Sequence, residues 1–92
     1  MADVVVTLKI MPSSVEVDMD ELFNKAKEII VDYTGIDNLK KEIEPVAFGL
    51  KALKIYFVMA EDKGSTDKLE DQISEISEVE SVKVIDVRRS IG

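Results

Sequence analysis

Arg88 and Arg89 follow the last stretch of alternating apolar residues, in a segment (83–92) that carries three cations against one anion. Just before it, residues 61–80 hold eight acidic side chains and two basic ones. Two adjacent guanidinium groups on an otherwise negative chain have the form of a short probe for an acidic or metal-holding pocket. The plainer alternative is a solubilising tail. A second unusual cluster is Pro45-Val-Ala-Phe-Gly49, where a large aromatic stands among small residues ahead of an apolar run. Glycine permits a bend that would turn the Phe48 ring outward as an anchor for a protein partner. The alternative is a ring packed into the core.

Other chemistry is largely excluded by residue type. The chain has no cysteine and no histidine, so it lacks a thiol nucleophile, a thiolate metal site, a disulfide framework and the usual general base. Its glycines, at 35, 49, 64 and 92, match neither GxGxxG nor GxxxxGK, and no phosphate cradle of those kinds is encoded. The carboxylate pairs Glu42/Glu44 and Glu61/Asp62 have the groups for acid–base work or for holding Mg²⁺, but solvated surface is the ordinary role of such residues. A net charge of −7, from 12 basic and 19 acidic residues, opposes nucleic-acid binding, which draws its affinity from cations that displace condensed counterions. An RNA-binding sheet would also need stacking aromatics, for which there are few candidates: Tyr56, Phe48 and Phe57. The longest apolar run, residues 55–60, is far too short to cross a bilayer, and no basic segment leads into an apolar stretch at the N-terminus. The expectation is a cytoplasmic, acidic binding module without covalent chemistry, cofactor or metal, and without a nucleic-acid or membrane partner.

The length of 92 residues fits one domain, residues 1–92. Residues 4–10 alternate, with Val4, Val6, Leu8 and Ile10 on one face, and predict a strand that ends at Pro12. Asp18 stands three residues before Glu21, a capping-box-like start, and Met19, Leu22, Phe23, Ala26, Ile29, Ile30 and Tyr33 recur at helical spacing as far as Gly35. Residues 39–47 read as a weaker strand that Pro45 confines to an edge or a strand end. Residues 50–60 read as a well-buried strand with Leu53, Ile55, Phe57 and Met59 inward. Ser65 or Thr66 caps a second helix with the stripe Leu69, Ile73 and Ile76. A last strand spans residues 81–87, and its apolar phase switches between Val84 and Ile85, which calls for a bulge or a change of buried face. The order β-α-β-β-α-β predicts an α+β, ferredoxin-like sandwich with right-handed crossovers, in which a four-stranded antiparallel sheet is covered on one face by two helices. That scaffold by itself fixes no activity.

Four stretches taken together resemble the guanine-nucleotide exchange domains of the elongation factor 1-beta family. They are Pro45-Val-Ala-Phe-Gly-Leu-Lys-Ala-Leu-Lys-Ile55, Glu61-Asp-Lys-Gly-Ser-Thr-Asp-Lys-Leu69, Val79-Glu-Ser-Val-Lys-Val84 and Asp86-Val-Arg-Arg89. Size and the Asp-Val-Arg-Arg ending resemble the archaeal form. The resemblance implies a factor that binds elongation factor 1-alpha, the GTPase that delivers aminoacyl-tRNA, and promotes release of its GDP so that GTP replaces it. It implies that Arg89, with Arg88 beside it, is the basic probe inserted towards the Mg²⁺ and phosphate region of that GTPase. It further implies that Phe48, Gly49 and Lys51 belong to the same partner-binding end. Two departures stand out: eukaryotic relatives carry a lysine one residue from the end, where this arginine is followed by Ser90, Ile91 and Gly92, and Ala52 replaces a second basic residue of many relatives. The reading from another class is a ferredoxin-like regulatory domain that binds a small metabolite or a metal ion.

Overall fold

In the computed structural model, which describes residues 3–60 and 66–89, the first alternating stretch forms β1 (Asp3–Pro12). Val6, Leu8 and Ile10 are at most 1% exposed on its inner face. β1 pairs antiparallel on one side with β3 (Lys51–Ala60) and on the other with β4 (Val79–Arg89). β2 (Lys40–Pro45) pairs antiparallel with the outer side of β3, which gives the sheet order β2-β3-β1-β4. Period-two burial is cleanest in β3, where Leu53, Ile55, Phe57 and Met59 are 0–2% exposed. β2 lies at the sheet edge with Ile43 40% exposed, and Pro45 closes its ladder against Lys51. Proline, which has no N–H to donate, is tolerated at such a position.

The two helices cover the inner face. α1 (Met19–Thr34) contributes Leu22, Ala26 and Ile30 to the core, and α2 (Asp67–Ser74) contributes Leu69 and Ile73, all 0% exposed. Each of the leucine and isoleucine side chains stabilises the fold by about 1.5–3 kcal/mol relative to leaving it in water, and the Ala26 methyl by about 0.8 kcal/mol. α1 starts where the sequence places it: Asp18 Oδ1 accepts from the N–H groups of Asp20 at 3.0 Å and Glu21 at 3.3 Å, satisfying donors that the first turn leaves unpaired. It stops at Gly35, whose φ of 75° allows its N–H to reach the Val31 carbonyl at 2.7 Å. α2 begins differently from expectation. Thr66 is its N-cap residue but makes no side-chain cap bond, because its Oγ1 donates instead to Glu70 Oε2 at 3.3 Å. Ser65 and the Glu61/Asp62 pair lie outside the described residues.

The phase switch in the last strand is a bulge. Thr7 pairs with Asp86 and Leu8 with Val84, so Ile85 is an extra residue in β4. It restores alternation on both sides, with Val82 and Val84 partly buried against the core and Asp86 on the open face of the sheet. β4 is also longer than residues 81–87. β1 offers ladder partners as far as Val4 and Val5, which pair with Arg89 and Arg88. The arginines therefore lie within the strand rather than after it.

Lys25 of α1 binds the carboxylate of Glu78, in the turn between α2 and β4, and so ties the helical layer to the edge of the sheet. The bond from Lys25, helped by one from the Ser77 hydroxyl at 2.8 Å, holds the Glu78 carboxyl below its ordinary value of 4.5. A carboxyl lowered by folding stabilises the native state above its unfolded pKa and loses that contribution as pH falls through the folded value. Glu78→Gln is therefore expected to flatten the acid limb of stability below about pH 4.5, read from denaturant midpoints measured against pH. Parallel acid limbs for the two proteins would contradict it.

Candidate functional site

Pro45 and Lys51 face each other at the end of the β2–β3 hairpin, and the intervening loop must reverse the chain within five residues. It does so with a 3-10 turn, Ala47–Gly49, closed by Val46 N–H to the Leu50 carbonyl at 2.8 Å and Leu50 N–H to the Ala47 carbonyl at 3.2 Å. This path sets two consecutive residues left-handed: Phe48 at φ 62°, ψ 30°, and Gly49 at φ 78°. A Cβ on Gly49 would meet nothing nearer than Val15 Cγ1 at 3.9 Å. Backbone conformation, not space, favours glycine there. Phe48 has no such freedom. A left-handed L-residue with a bulky side chain costs about 1–2 kcal/mol. The ring that bears this cost is 96% exposed, forgoing the 1.5–3 kcal/mol or so that burial of a phenylalanine contributes. The outward alternative for Phe48 is the one observed. Gly49 and Lys51, both exposed, flank it.

At the last two positions of β4, Arg88 pairs with Val5 and Arg89 with Val4. Successive strand residues point to opposite faces, so the two arginines are not equivalent. Arg88 shares the open face with Asp86, and its Nε lies 2.8 Å from Asp86 Oδ2. With the Arg88 side chain 80% exposed, this contact directs the group rather than stabilising the fold. Arg89 is exposed and is directed towards the helix-bearing side, next to Val4. The Ile85 bulge sets this assignment, because an unbulged β4 would exchange the faces of the two arginines. Ser90, Ile91 and Gly92 lie outside the described residues.

The expectation that Phe48 and the arginines form a single end is overturned by the register. Phe48 precedes Lys51 at the start of β3, whereas Arg88 is level with Val58, since both pair with Val5. Seven residues of strand, at about 3.3 Å each, separate the two levels by about 23 Å. The aromatic corner and the basic strand end are thus at opposite ends of the sheet.

The remaining candidates form no second centre. Glu42 and Glu44 are engaged by lysines on the open face: Lys54 lies 2.6 Å from Glu44 and 4.0 Å from Glu42, and Lys9 lies 3.9 Å from Glu44. The bond from Lys54 holds the Glu44 carboxyl below its ordinary range, and the same contact raises the Lys54 ammonium. Among the described residues no group of three or more acidic side chains is placed to hold a metal ion. Phe57 is 1% exposed in the core, which leaves Tyr56, partly buried on the open face beside Lys40 and Thr7, as the aromatic of the sheet surface. Among the described residues no helix is long and apolar enough to cross a membrane. Among the described residues, two exposed apolar side chains were not singled out by the sequence: Val87, 55% exposed near the end of β4, and Val15, 61% exposed beside Gly49. For Val15 the only sequence signal is a valine set between Ser14 and Glu16 in a polar turn.

The EF-1 guanine nucleotide exchange domain family matches residues 5–89, a span that includes Phe48, Gly49, Lys51, Arg88 and Arg89. Elongation factor 1-beta of Methanosarcina barkeri is 43% identical over 91 residues, covering 97% of this chain and 99% of its own. Elongation factor 1-beta of Nanoarchaeum equitans is 40% identical over 83 residues, covering 90% of this chain and all of its own. That of Methanothermobacter thermautotrophicus is 39% identical over 89 residues, with 97% and 98% covered. With this span matched and the sheet order as described, the chain belongs to the EF-1 guanine nucleotide exchange domain family, in its archaeal elongation factor 1-beta form.

Proposed function

We propose that the protein binds elongation factor 1-alpha and promotes release of its GDP, so that GTP takes its place during peptide chain elongation in the cytoplasm. Family membership supplies the class of reaction, and the observation that carries the reading in this chain is Phe48. A phenylalanine that is both left-handed and 96% exposed is unfavourable for the isolated fold, and burial against a partner would recover what that exposure forgoes.

Exchange makes and breaks no covalent bond in the factor. Its thermodynamics are those of linkage: a protein that binds the nucleotide-free GTPase more tightly than the GDP-bound form weakens GDP by the same ratio, and a coupling of about 3 kcal/mol corresponds to roughly 150-fold. The differential contact is assigned to the end of β4. A guanidinium brought to the Mg²⁺ and phosphate region of the GTPase repels the ion and competes for its carboxylate ligands and for phosphate oxygens. Arg89 is the probe in this reading, and Arg88, held by Asp86 on the other face, stands beside it. Since Phe48 is about 23 Å away along the sheet, the factor grips the GTPase at two separate places: Phe48, Gly49 and Lys51 hold the complex together, and Arg89 disturbs the nucleotide.

Two outcomes test the division of labour. Arg89→Ala is expected to slow factor-promoted release of fluorescent GDP by about tenfold or more at saturating factor, with circular dichroism and thermal unfolding unchanged; an unaltered release rate would remove Arg89 from the role. Phe48→Gly is expected to stabilise the free protein by about 1 kcal/mol through relief of the left-handed strain, or a rise of about 4–8 °C in Tm for a domain of this size. The same substitution is expected to weaken the complex. A destabilised variant, or one that binds as well as the wild type, would contradict the assignment.

A further inference from the structure

The corner that carries Phe48 is built from two turns. Residues 13–17, which join β1 to α1, lie against the β2–β3 turn, where Val15 Cγ1 stands 3.9 Å from the Cβ position of Gly49. The turn is anchored rather than loose: Pro12 pairs with Val79, and Ser13 N–H donates to the Glu78 carbonyl at 2.8 Å. Single exposed apolar residues need no explanation. Here a valine 61% exposed and a phenylalanine 96% exposed come from two turns that border the same hollow.

That hollow, of about 160 Å³, is lined by Pro12, Ser14, Val15, Met19, Gly49 and Lys51. Its two polar side chains are both donors. Lys51 makes no ion pair among the described residues; Glu16, on the same turn, is not within ion-pair distance of it. Ser14 Oγ accepts from Glu16 N–H at 3.3 Å, which leaves the hydroxyl proton available to a further acceptor. An ammonium and a hydroxyl lining one small, mainly polar hollow complement a carboxylate, and they would leave a cation or a wholly apolar side chain poorly matched.

We infer that the residue 13–17 turn is the second half of the Phe48 contact. An aspartate or glutamate side chain of the GTPase enters the hollow between Ser14 and Lys51, while apolar side chains flanking that carboxylate cover Val15 and Phe48. This rests on the exchange reading and adds to it a second turn and the chemistry of the surface it meets.

The test is titration of the full chain into nucleotide-free elongation factor 1-alpha at low and high salt, with Phe48→Ala, Val15→Asp and Lys51→Met as variants whose folding is checked by thermal unfolding. Val15→Asp, which sets a second carboxylate beside the incoming one, and Lys51→Met are each expected to weaken binding about tenfold. Lys51→Met is also expected to reduce the salt dependence of binding. If Phe48→Ala weakens binding while folded Val15→Asp and Lys51→Met proteins bind like the wild type, the inference is overturned and the exchange reading stands. If the wild-type protein neither binds the GTPase nor accelerates GDP release, both fall.

Discussion

β1 lies between β3 and β4 and is antiparallel to each, so β3 and β4 run in the same direction along the sheet. Whatever precedes β3 must then sit at one end of the molecule and whatever ends β4 at the other. The placement of Phe48 and of the two arginines follows from this ladder geometry. β1 can impose it because Val6, Leu8 and Ile10 are buried in the core cluster and its two edges are paired along most of their length. A packed sheet of this kind resists bending, and so holds the separation between its two ends nearly fixed.

What the ends carry is unfavourable for the isolated chain. Phe48 combines backbone strain with exposure to water, and the turn beside it exposes Val15. The stability that offsets these costs comes from the cluster between sheet and helices, where Leu22, Ile30, Leu53, Ile55, Leu69 and Ile73 are fully buried. Charge is divided similarly. Acidic residues predominate in α2 and in the turn that follows it, whereas the last two positions of β4 are cationic. That polarity orients the protein in the field of a partner more than it stabilises the fold.

Much of this was legible in the sequence, for identifiable reasons. Asp18 and Gly35 bound α1 because capping is local chemistry that depends on a few neighbouring residues. The Ile85 bulge was visible as a break in period-two alternation, since a single extra residue reverses every face beyond it. The end of β4 was less legible. Arg88 and Arg89 resemble a polar tail, but strand length is set by the neighbouring strand, and β1 supplies partners as far as Val4. Whether Phe48 turned in or out depended on the sign of its φ, which composition does not determine for a residue other than glycine. The separation of Phe48 from the arginines was implicit in the element order, because strands flanking a common antiparallel neighbour are co-directional. The exposed Val15 had no sequence signal strong enough to single it out, because its significance depends on the proximity of turns more than thirty residues apart in the chain.

The central claim is that this protein favours the GTPase without its nucleotide, and reciprocity makes that measurable without following release. Calorimetric titration of the full chain into elongation factor 1-alpha, once nucleotide-free and once loaded with GDP and Mg²⁺, yields two dissociation constants whose ratio is the coupling. Binding to the nucleotide-free form that is tighter by a factor of about 5–150 is the expected result. Equal affinities would contradict the account, since a protein indifferent to the nucleotide state of its partner cannot loosen the nucleotide.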